Sequence, residues 1–518
     1  MTDQSRLRYV KHRPRVFIVS DISNEPDDAQ SMVRLLTYAN ELDIQGLVAC
    51  TSCWMRTRVH PEDMHSIVSA YARVVDNLNA HVHPANPYPA AEYLASNIKS
   101  GPPVYGRQAL AEDYPLSEGA QLLIDRADAS DQPLWVLSWG GVNVLAQALK
   151  HVQETRPVAA AQAFRAKLRV YTISDQDDCG AWIRVTFPDV LYICSLHAWG
   201  EYGNATWTGI SGDLLMKSLD AGGPDTSLVS KEWLATNIQQ SGSPLGAVYP
   251  DVSFIMEGDT PTFLYLIPNG LGVPEQPSWG SWGGRYGLVD LGGSSRHYAD
   301  TRDAVVGKDG ATHLSGKASI WRWREAYQND FAARMRWTLS PERSGVNHAP
   351  VVSVNDSGPG AEAYYIDAEA GSEVILDASA SYDPDEEDRL EFAWYHYKEP
   401  TTTGSLVHWP AVPDVEFVPT LAAAAGAGAI VKVTIPPPEK CAVDILTGQP
   451  LPKGQVLHFI LSVRDDGTPR LTTYKRVVVQ VTNHQGRGGR DLGGKVFDTV
   501  TEAMGHSTGQ ETLAATGQ

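Results

Sequence analysis

Cysteine is scarce and odd in number here, five residues in a chain of 518, so a disulfide framework is not the source of stability. No apolar run approaches the ~20 residues of a membrane-spanning helix, and no membrane partner is expected. The opening stretch MTDQSRLRYVKHRPR carries charge and no apolar core, so it does not read as a signal peptide. The expectation is a reducing, cytoplasmic location, or a secreted one if the N-terminus is incomplete. Basic charge is also in deficit: 42 Lys and Arg against 61 Asp and Glu leave a net charge of −19. Such a surface repels a phosphate backbone, so no nucleic-acid partner is expected. A G-x-S-x-G elbow and a phosphate-binding glycine loop are both missing. Cys50-Thr51-Ser52-Cys53 has metal-ligand spacing but no second pair to complete a zinc site. What is present, 42% hydrophobic and 20% charged residues, is ordinary globular composition at a length that calls for two or three cores.

One stretch concentrates chemistry. VFIVS, from Val16, is a short β-branched run that reads as a buried strand. Met32, Val33, Leu36 and Ala39 then recur at helical spacing. The turn between them carries Asp21, Glu25, Asp27 and Asp28. Asp27 and Asp28 fall at a helix N-terminus, where the macrodipole favours negative charge. Capping needs only one of the four. A hard cation with oxygen ligands accounts for the cluster better.

Further along, Ile44–Ser52, Pro133–Trp139, Lys167–Ser174 and Asp189–Leu196 read as strands. HPEDMHSIVSAYARVVDNL and VNVLAQALKHV read as helices, with a Pro- and Tyr-rich loop from His81 to Gly106. The alternation predicts a mostly parallel α/β sheet with helices on both faces. Ligands in such sheets bind at the carboxyl ends of the strands, where the acidic turn, Thr51-Ser52, Gly140–Asn143 and Ser174–Asp178 all fall. Ser319–Trp337 predicts one long packed helix, and Ser340–Pro350 a linker. Beyond it, alternating residues broken by turn chemistry predict an all-β sandwich with Trp394 buried. The expected division is 1–345, 348–485 and a loose tail at 486–518, in which Lys495–Val500 can dock.

The strand–turn–helix unit Asp21-Ile22-Ser23-Asn24-Glu25-Pro26-Asp27-Asp28 resembles the D-x-D-x-x-x-D-D opening of the nucleoside hydrolases. With GDTPTFLYLIPNGL and SWGSWGGRY, the wording is similar to a divergent branch of nucleoside-hydrolase-like proteins of unassigned function, some labelled cellulose-binding protein. The region from Leu376 to Trp394 resembles polycystic-kidney-disease-type and cadherin-like sandwiches, in which Asp383, Asp385 and Glu386 are candidate calcium ligands.

The resemblance implies a calcium ion held by Asp28, by Asp259 of the GDTP turn (Glu257 as fallback) and by the Asn143 carbonyl, with Asp27 gripping a sugar hydroxyl. It departs in two places. Ser23 stands where the family has its catalytic base, which leaves Asp21, Glu25 or Asp27 to take the proton. Gly258 stands where some members carry a leaving-group His. Asn24, Asp175, Gln176 and the loop residues Trp279, Trp282 and Arg285 are the remaining candidate substrate contacts. The implied activity is hydrolysis of an N- or O-glycosidic bond in a carbohydrate or nucleoside. The alternative is a carbohydrate-binding protein that has lost catalysis.

Overall fold

In the computed structural model, residues 3–212, 220–290, 292–402, 413–420, 426–444, 446–489, 495–499 and 502–503 are described. The chain divides into two compact units. The first comprises Met1–Pro268, Gly272–His348 and Thr468–Arg470; the second comprises Asn269–Leu271, Ala349–Gly467 and Leu471–Gln518.

The first unit is built on strands β1 (Arg15–Ser20), β2 (Asp43–Ala49), β3 (Ile98–Ser100), β4 (Leu134–Ser138), β5 (Leu168–Ser174), β6 (Leu191–Ser195), β7 (Tyr286–Leu288) and β8 (His297–Asp300). They form one sheet in the order β3-β2-β1-β4-β5-β6-β8-β7. Every neighbouring pair is parallel except β7 with β8. Continuous apolar strands such as VFIV and LWVL are what a sheet covered on both faces requires. Phe17, Val48, Val136 and Val170 join Leu123, Leu145 and Ile183 of flanking helices in one buried cluster. The chain winds outward from β1 through β2 to β3, then restarts at β4 on the other side of β1. The β1/β4 crevice is therefore the topological switch point, where ligands are expected above the strand ends. A small hairpin, β9 (Asp303–Val306) with β10 (Thr312–Ser315), follows.

Local periodicity overreached in places. The His81–Gly106 loop contains the helix Ala91–Ser96 and strand β3. Ser319–Trp337 is two helices, Ala318–Trp321 and Arg324–Trp337, because Trp323 leaves helical backbone angles between them. Ile320, Trp323, Tyr327 and Phe331 are nevertheless all buried. Among the described residues, no helix is long and apolar enough to cross a membrane. All five cysteines are free thiols.

The second unit carries β11 (Tyr364–Glu369), β12 (Glu373–Asp377), β13 (Glu391–His396), β14 (Phe417–Pro419), β15 (Ile430–Thr434), β16 (Lys453–Arg464) and β17 (Thr472–Thr482). They make two sheets, β11-β17-β16-β13 and β12-β15-β14. Leu376, Phe392, Val431, Phe459 and Val477 of both sheets share one core. Trp394 is half-buried rather than fully buried. It stacks on Phe417 and donates its indole N–H to the Gly428 carbonyl at 3.0 Å, so its polar end stays near the rim of the core. Much of the 486–518 tail lies outside the described residues; within it, Phe497 N–H donates to the Leu446 carbonyl.

Candidate functional site

The acidic turn is set by backbone chemistry. β1 ends at Ser20, the Asn24 N–H closes a turn on the Asp21 carbonyl, and Pro26 opens the helix Pro26–Thr37. Asp27 and Asp28 therefore lie in the first helical turn, with the dipole in their favour. Ser20 donates its hydroxyl to Asp28 at 2.5 Å. Across the switch point Gly140 meets Asp21: a Cβ on Gly140 would lie 2.6 Å from the Asp21 carboxylate. Only glycine permits that approach.

Asp259 reaches the same point from a segment far along the chain. It precedes the short helix Pro261–Leu264, and its carbonyl accepts from the Thr262 amide and hydroxyl. Carboxylate oxygens of Asp27, Asp28 and Asp259, all buried, lie within 4.8 Å of one another. Asp259 Oδ2 and Asp21 Oδ2 are buried without a hydrogen-bond partner. Buried, unpaired carboxylates are costly. A calcium ion at 2.3–2.6 Å from each oxygen spans such a triad. The donor set thus fits the hard cation that the sequence implies, with Ser23 outside it. Ser23 has a left-handed backbone (φ 81°) and donates to Asp63 instead.

Electrostatics describe the same strain. Burial, ahead of repulsion from Glu25, raises the Asp21 carboxyl to about 6. Burial, then Glu25 and Asp21, raises Asp27 to about 8. Asp28 and Asp259 are pushed well above the carboxylate range, by burial first and then by neighbouring acids. A raised native pKa contributes stability that is complete below the unfolded value near 4 and is lost as pH rises through the native value. Without divalent cations, stability should therefore fall between pH 4 and 8, through about 6 for Asp21 and about 8 for Asp27. Urea midpoints in chelator across that window check this. Asp27→Asn should flatten the decline; an unchanged slope in the variant would contradict the assignment.

Above the acids the walls are aromatic. A pocket of about 170 Å³ is lined by Asp21, Asn24, Glu25, Asp27, Asp28, Gln176 and Asp259, and by Trp54, Trp139, Trp199, Tyr202, Trp207 and Phe254. Trp54, Trp199 and Phe254 are 43%, 70% and 70% exposed. Trp54, Trp199, Tyr202 and Trp207 form a chain of ring contacts 5.2–5.4 Å apart that descends from rim to floor. Trp207 is anchored by its indole N–H on Ser174, which in turn contacts His197. Phe254 and Glu257 have positive φ, 62° and 53°, an irregular backbone of the kind that gathers at working sites.

The sequence candidates divide accordingly. Asp21, Asn24, Glu25, Asp27, Asp28, Gln176 and Asp259 meet at one pocket. Asn143 opens the helix Asn143–Thr155, and its side-chain amide is committed to Thr51 and to the Val104 carbonyl. Asp175 faces solvent in a salt bridge with Arg184 and does not line the pocket. The expectation for the Trp-Gly loop is overturned. Trp282 and Arg285 are each 2% exposed; Trp282 packs on Tyr327, and Arg285 is bound to Asp303. Trp279, half-buried, lies outside the pocket lining as well. Glu257 pairs with Arg34 at 2.8 Å rather than joining the acids. Gly258 gives room where a His was expected: a Cβ there would sit 2.7 Å from Asp27 and 3.0 Å from Trp207. Trp54, Trp199, Tyr202, Trp207 and Phe254 were not among the candidates. Their signal was available for the first four, since they follow the carboxyl ends of β2 and β6.

Comparison with known proteins agrees with this architecture. Residues 15–286 match the family described as cellulose-binding Sde182, nucleoside hydrolase-like domain. Residues 373–481 match the cellulose-binding protein Sde0182, C-terminal domain. Among solved structures, a nucleoside hydrolase-related hypothetical protein from Saccharophagus degradans, described as associated with carbohydrate metabolism, is 33% identical; 91% of this chain and 100% of that one are covered, at a TM-score of 0.70. The effector protein XOO4466 and the type III effector XopQ complexed with adenosine diphosphate ribose are each 13% identical over 64% of this chain. They are covered over 95% and 96% of their own lengths, at TM-scores of only 0.28 and 0.29. No curated protein matches the chain.

Proposed function

The chain belongs to the Sde182 nucleoside-hydrolase-like family, and from that premise we propose that it binds a neutral carbohydrate at the Asp27–Asp28 pocket and hydrolyses a glycosidic bond there. The observation that carries this reading is the juxtaposition of a carboxylate floor with an exposed aromatic wall. Flat rings stack on the apolar faces of a sugar, and carboxylates accept from its hydroxyls. At about 170 Å³ the pocket suits a single ring rather than a drug-sized ligand.

In this reading Asp28 and Asp259, with Asp27 beside them, hold a calcium ion, and Asn143, whose carbonyl lies inside the helix Asn143–Thr155, is not a ligand. That ion would supply a polarised water and an anchor for sugar hydroxyls. Asp27 orients a hydroxyl, and the Trp54–Trp199 wall fixes the ring. Asp21, with its carboxyl near 6 and one oxygen without a partner, is best placed to accept a proton at neutral pH. Glu25, half-buried beside it, adds negative potential towards an oxocarbenium-like transition state. A second reading, sugar binding without turnover, is favoured by Ser23 and Gly258, which stand where the family's base and leaving-group His are expected.

The test is a parallel assay of the full chain with calcium on nucleosides, glycosides and soluble cello-oligosaccharides, with binding measured beside turnover. Sugar binding should weaken about five- to tenfold in Trp199→Ala, the scale of one lost aromatic contact of ~1 kcal/mol. Efficient base release from a nucleoside, lost in Asp28→Ala, would overturn the carbohydrate reading. Binding without turnover on every substrate would select the second.

A further inference from the structure

A second cavity opens beside the acidic pocket. Its volume is about 290 Å³, and His197, Glu201, Asn204, Asp300, Arg302 and Leu314 line it. It stands on the same edge of the sheet as the first. His197 follows β6 by two residues and Asp300 ends β8, and these two strands run parallel. Along the order β1-β4-β5-β6-β8, the crevice between β6 and β8 lies about three strand spacings, roughly 14 Å, from the β1/β4 switch point. One 3₁₀ turn, Trp199–Asn204, is the wall between the two cavities. Such a turn repeats every three residues, so positions three apart share a face. Trp199 and Tyr202 line the acidic pocket, whereas Glu201 and Asn204 line the second cavity.

The wall is braced on both faces. The Asn204 amide donates to Glu201 at 2.8 Å. The buried Lys317 ammonium reaches the Gly203 carbonyl at 3.5 Å. His197 meets the Tyr202 ring at 5.3 Å and shares a 2.8 Å hydrogen bond with Ser174, on which Trp207 of the first pocket is anchored. The second cavity is also polar without a net sign. Glu201 and Asp300 oppose Arg302 and Lys317, so neither an anion nor a cation is selected over a neutral ligand. Asp300 is fixed through Oδ1, which accepts from the Ser195 hydroxyl at 2.6 Å and the Thr206 amide at 3.3 Å. The Arg302 side chain is exposed and has no hydrogen-bond or ion-pair partner among the described residues. Planar carboxylate, amide and guanidinium groups match neighbouring hydroxyls, and Leu314 offers an exposed apolar face beside them.

We propose that this cavity is a second sugar subsite, resting on the carbohydrate reading of the first pocket: the ligand is a neutral oligosaccharide whose chain crosses the Trp199–Asn204 wall. One unit sits over the carboxylates, with its ring against the aromatic side. A later unit donates hydroxyls to Asp300 and accepts from Arg302. Trp199, exposed between the cavities, carries the chain from one to the other. At about 170 and 290 Å³ each cavity takes a ring rather than a long ligand. Their separation therefore sets a minimum chain length for full affinity.

The experiment titrates the full chain, with calcium present, with glucose and with soluble cello- and xylo-oligosaccharides of increasing length. Calorimetry should show affinity rising at least about tenfold from the monosaccharide to a chain that spans the wall, the effect of one added hydrogen bond to a charged group. Arg302→Ala and Asn204→Ala should each remove most of that gain and leave the monosaccharide affinity unchanged. Trp199→Ala should lower affinity at every length. Arg302 is exposed and unpaired, so its variant keeps the fold, and circular dichroism checks this. A monosaccharide bound as tightly as the longer chains overturns the second subsite and leaves the proposed function standing. A gain with length that survives both Arg302→Ala and Asn204→Ala also overturns it, because the later units then lie elsewhere. Inorganic phosphate bound by the full chain and lost in Arg302→Ala, with no gain from sugar length, makes the cavity an anion site instead. No sugar bound at any length up to about 10 mM sinks the proposed function, and this subsite with it.

Discussion

Asp28→Ala should make the cation-free protein more stable and the working protein inert. The side chain is buried between Asp21, Asp27 and Asp259, and its carboxyl is raised first by burial and then by Asp21 and Asp27. Removing it relieves repulsion at the loss of one hydrogen bond from Ser20. The net gain in chelator at pH 8 should be about 0.5–2 kcal/mol, the usual range when a strained functional group is deleted. Calcium affinity at the pocket should fall by more than about 100-fold, because loss of a mere supporting residue already costs 10–100-fold. Sugar binding and any turnover should fall with it. Urea denaturation in chelator, calcium dialysis and ligand titration on one preparation measure all three. A variant that is destabilised in chelator and still binds calcium and sugar normally would show that Asp28 is only a helix cap.

Arg34→Met should produce the largest loss of stability, about 3–5 kcal/mol, because it leaves a buried carboxylate unpaired. Arg34 and Glu257 are both fully buried and 2.8 Å apart. The guanidinium also donates to Gln328 and to the Tyr327 carbonyl, and it lies 4.6 Å from the Phe331 ring centroid. Burial opposes its charge, but Glu257, by charge and by hydrogen bond, together with Tyr38 and Tyr327 outweighs that and raises its pKa. Glu257 is held further by the Tyr249 hydroxyl and by its own amide on Gln30. This pair fixes the positive-φ segment that leads into Gly258 and Asp259, so the variant should lose calcium affinity along with stability. Adding Glu257→Met should restore most of the stability by removing the stranded charge. The readout is the urea transition of the α/β unit, followed by far-ultraviolet circular dichroism. A loss below about 1 kcal/mol would mean that water reaches Glu257 and the pair is not closed.

Local signals in the sequence were sufficient for part of the site. A β-branched run followed by Glu25-Pro26-Asp27-Asp28 specifies strand, turn and helix start within a dozen residues, since the strand pattern, the Pro at the first helical position and the dipole preference are all short-range. Asp259 was legible on the same terms, as the residue before a Thr-Pro helix entrance. The sandwich texture after Ala349 and the alternation that gives a parallel sheet are likewise patterns of period two and period 3.6. The Trp-Gly loop was misread because flat aromatics between glycines describe a sugar platform and a packed core equally well. Burial against Tyr327 and the Arg285–Asp303 pair decided between them. The strand order set the rest. It brings the loops after β2 and β6 over the β1/β4 crevice, so that Trp54 and Trp199 meet above Asp27 although 145 positions separate them. It likewise takes the pairing of β13 with β16, Glu391 opposite Arg464, to carry Asp465 to Asp383. The order of residues settles which of them bear charge at a strand end; the fold settles which of those charges share one space.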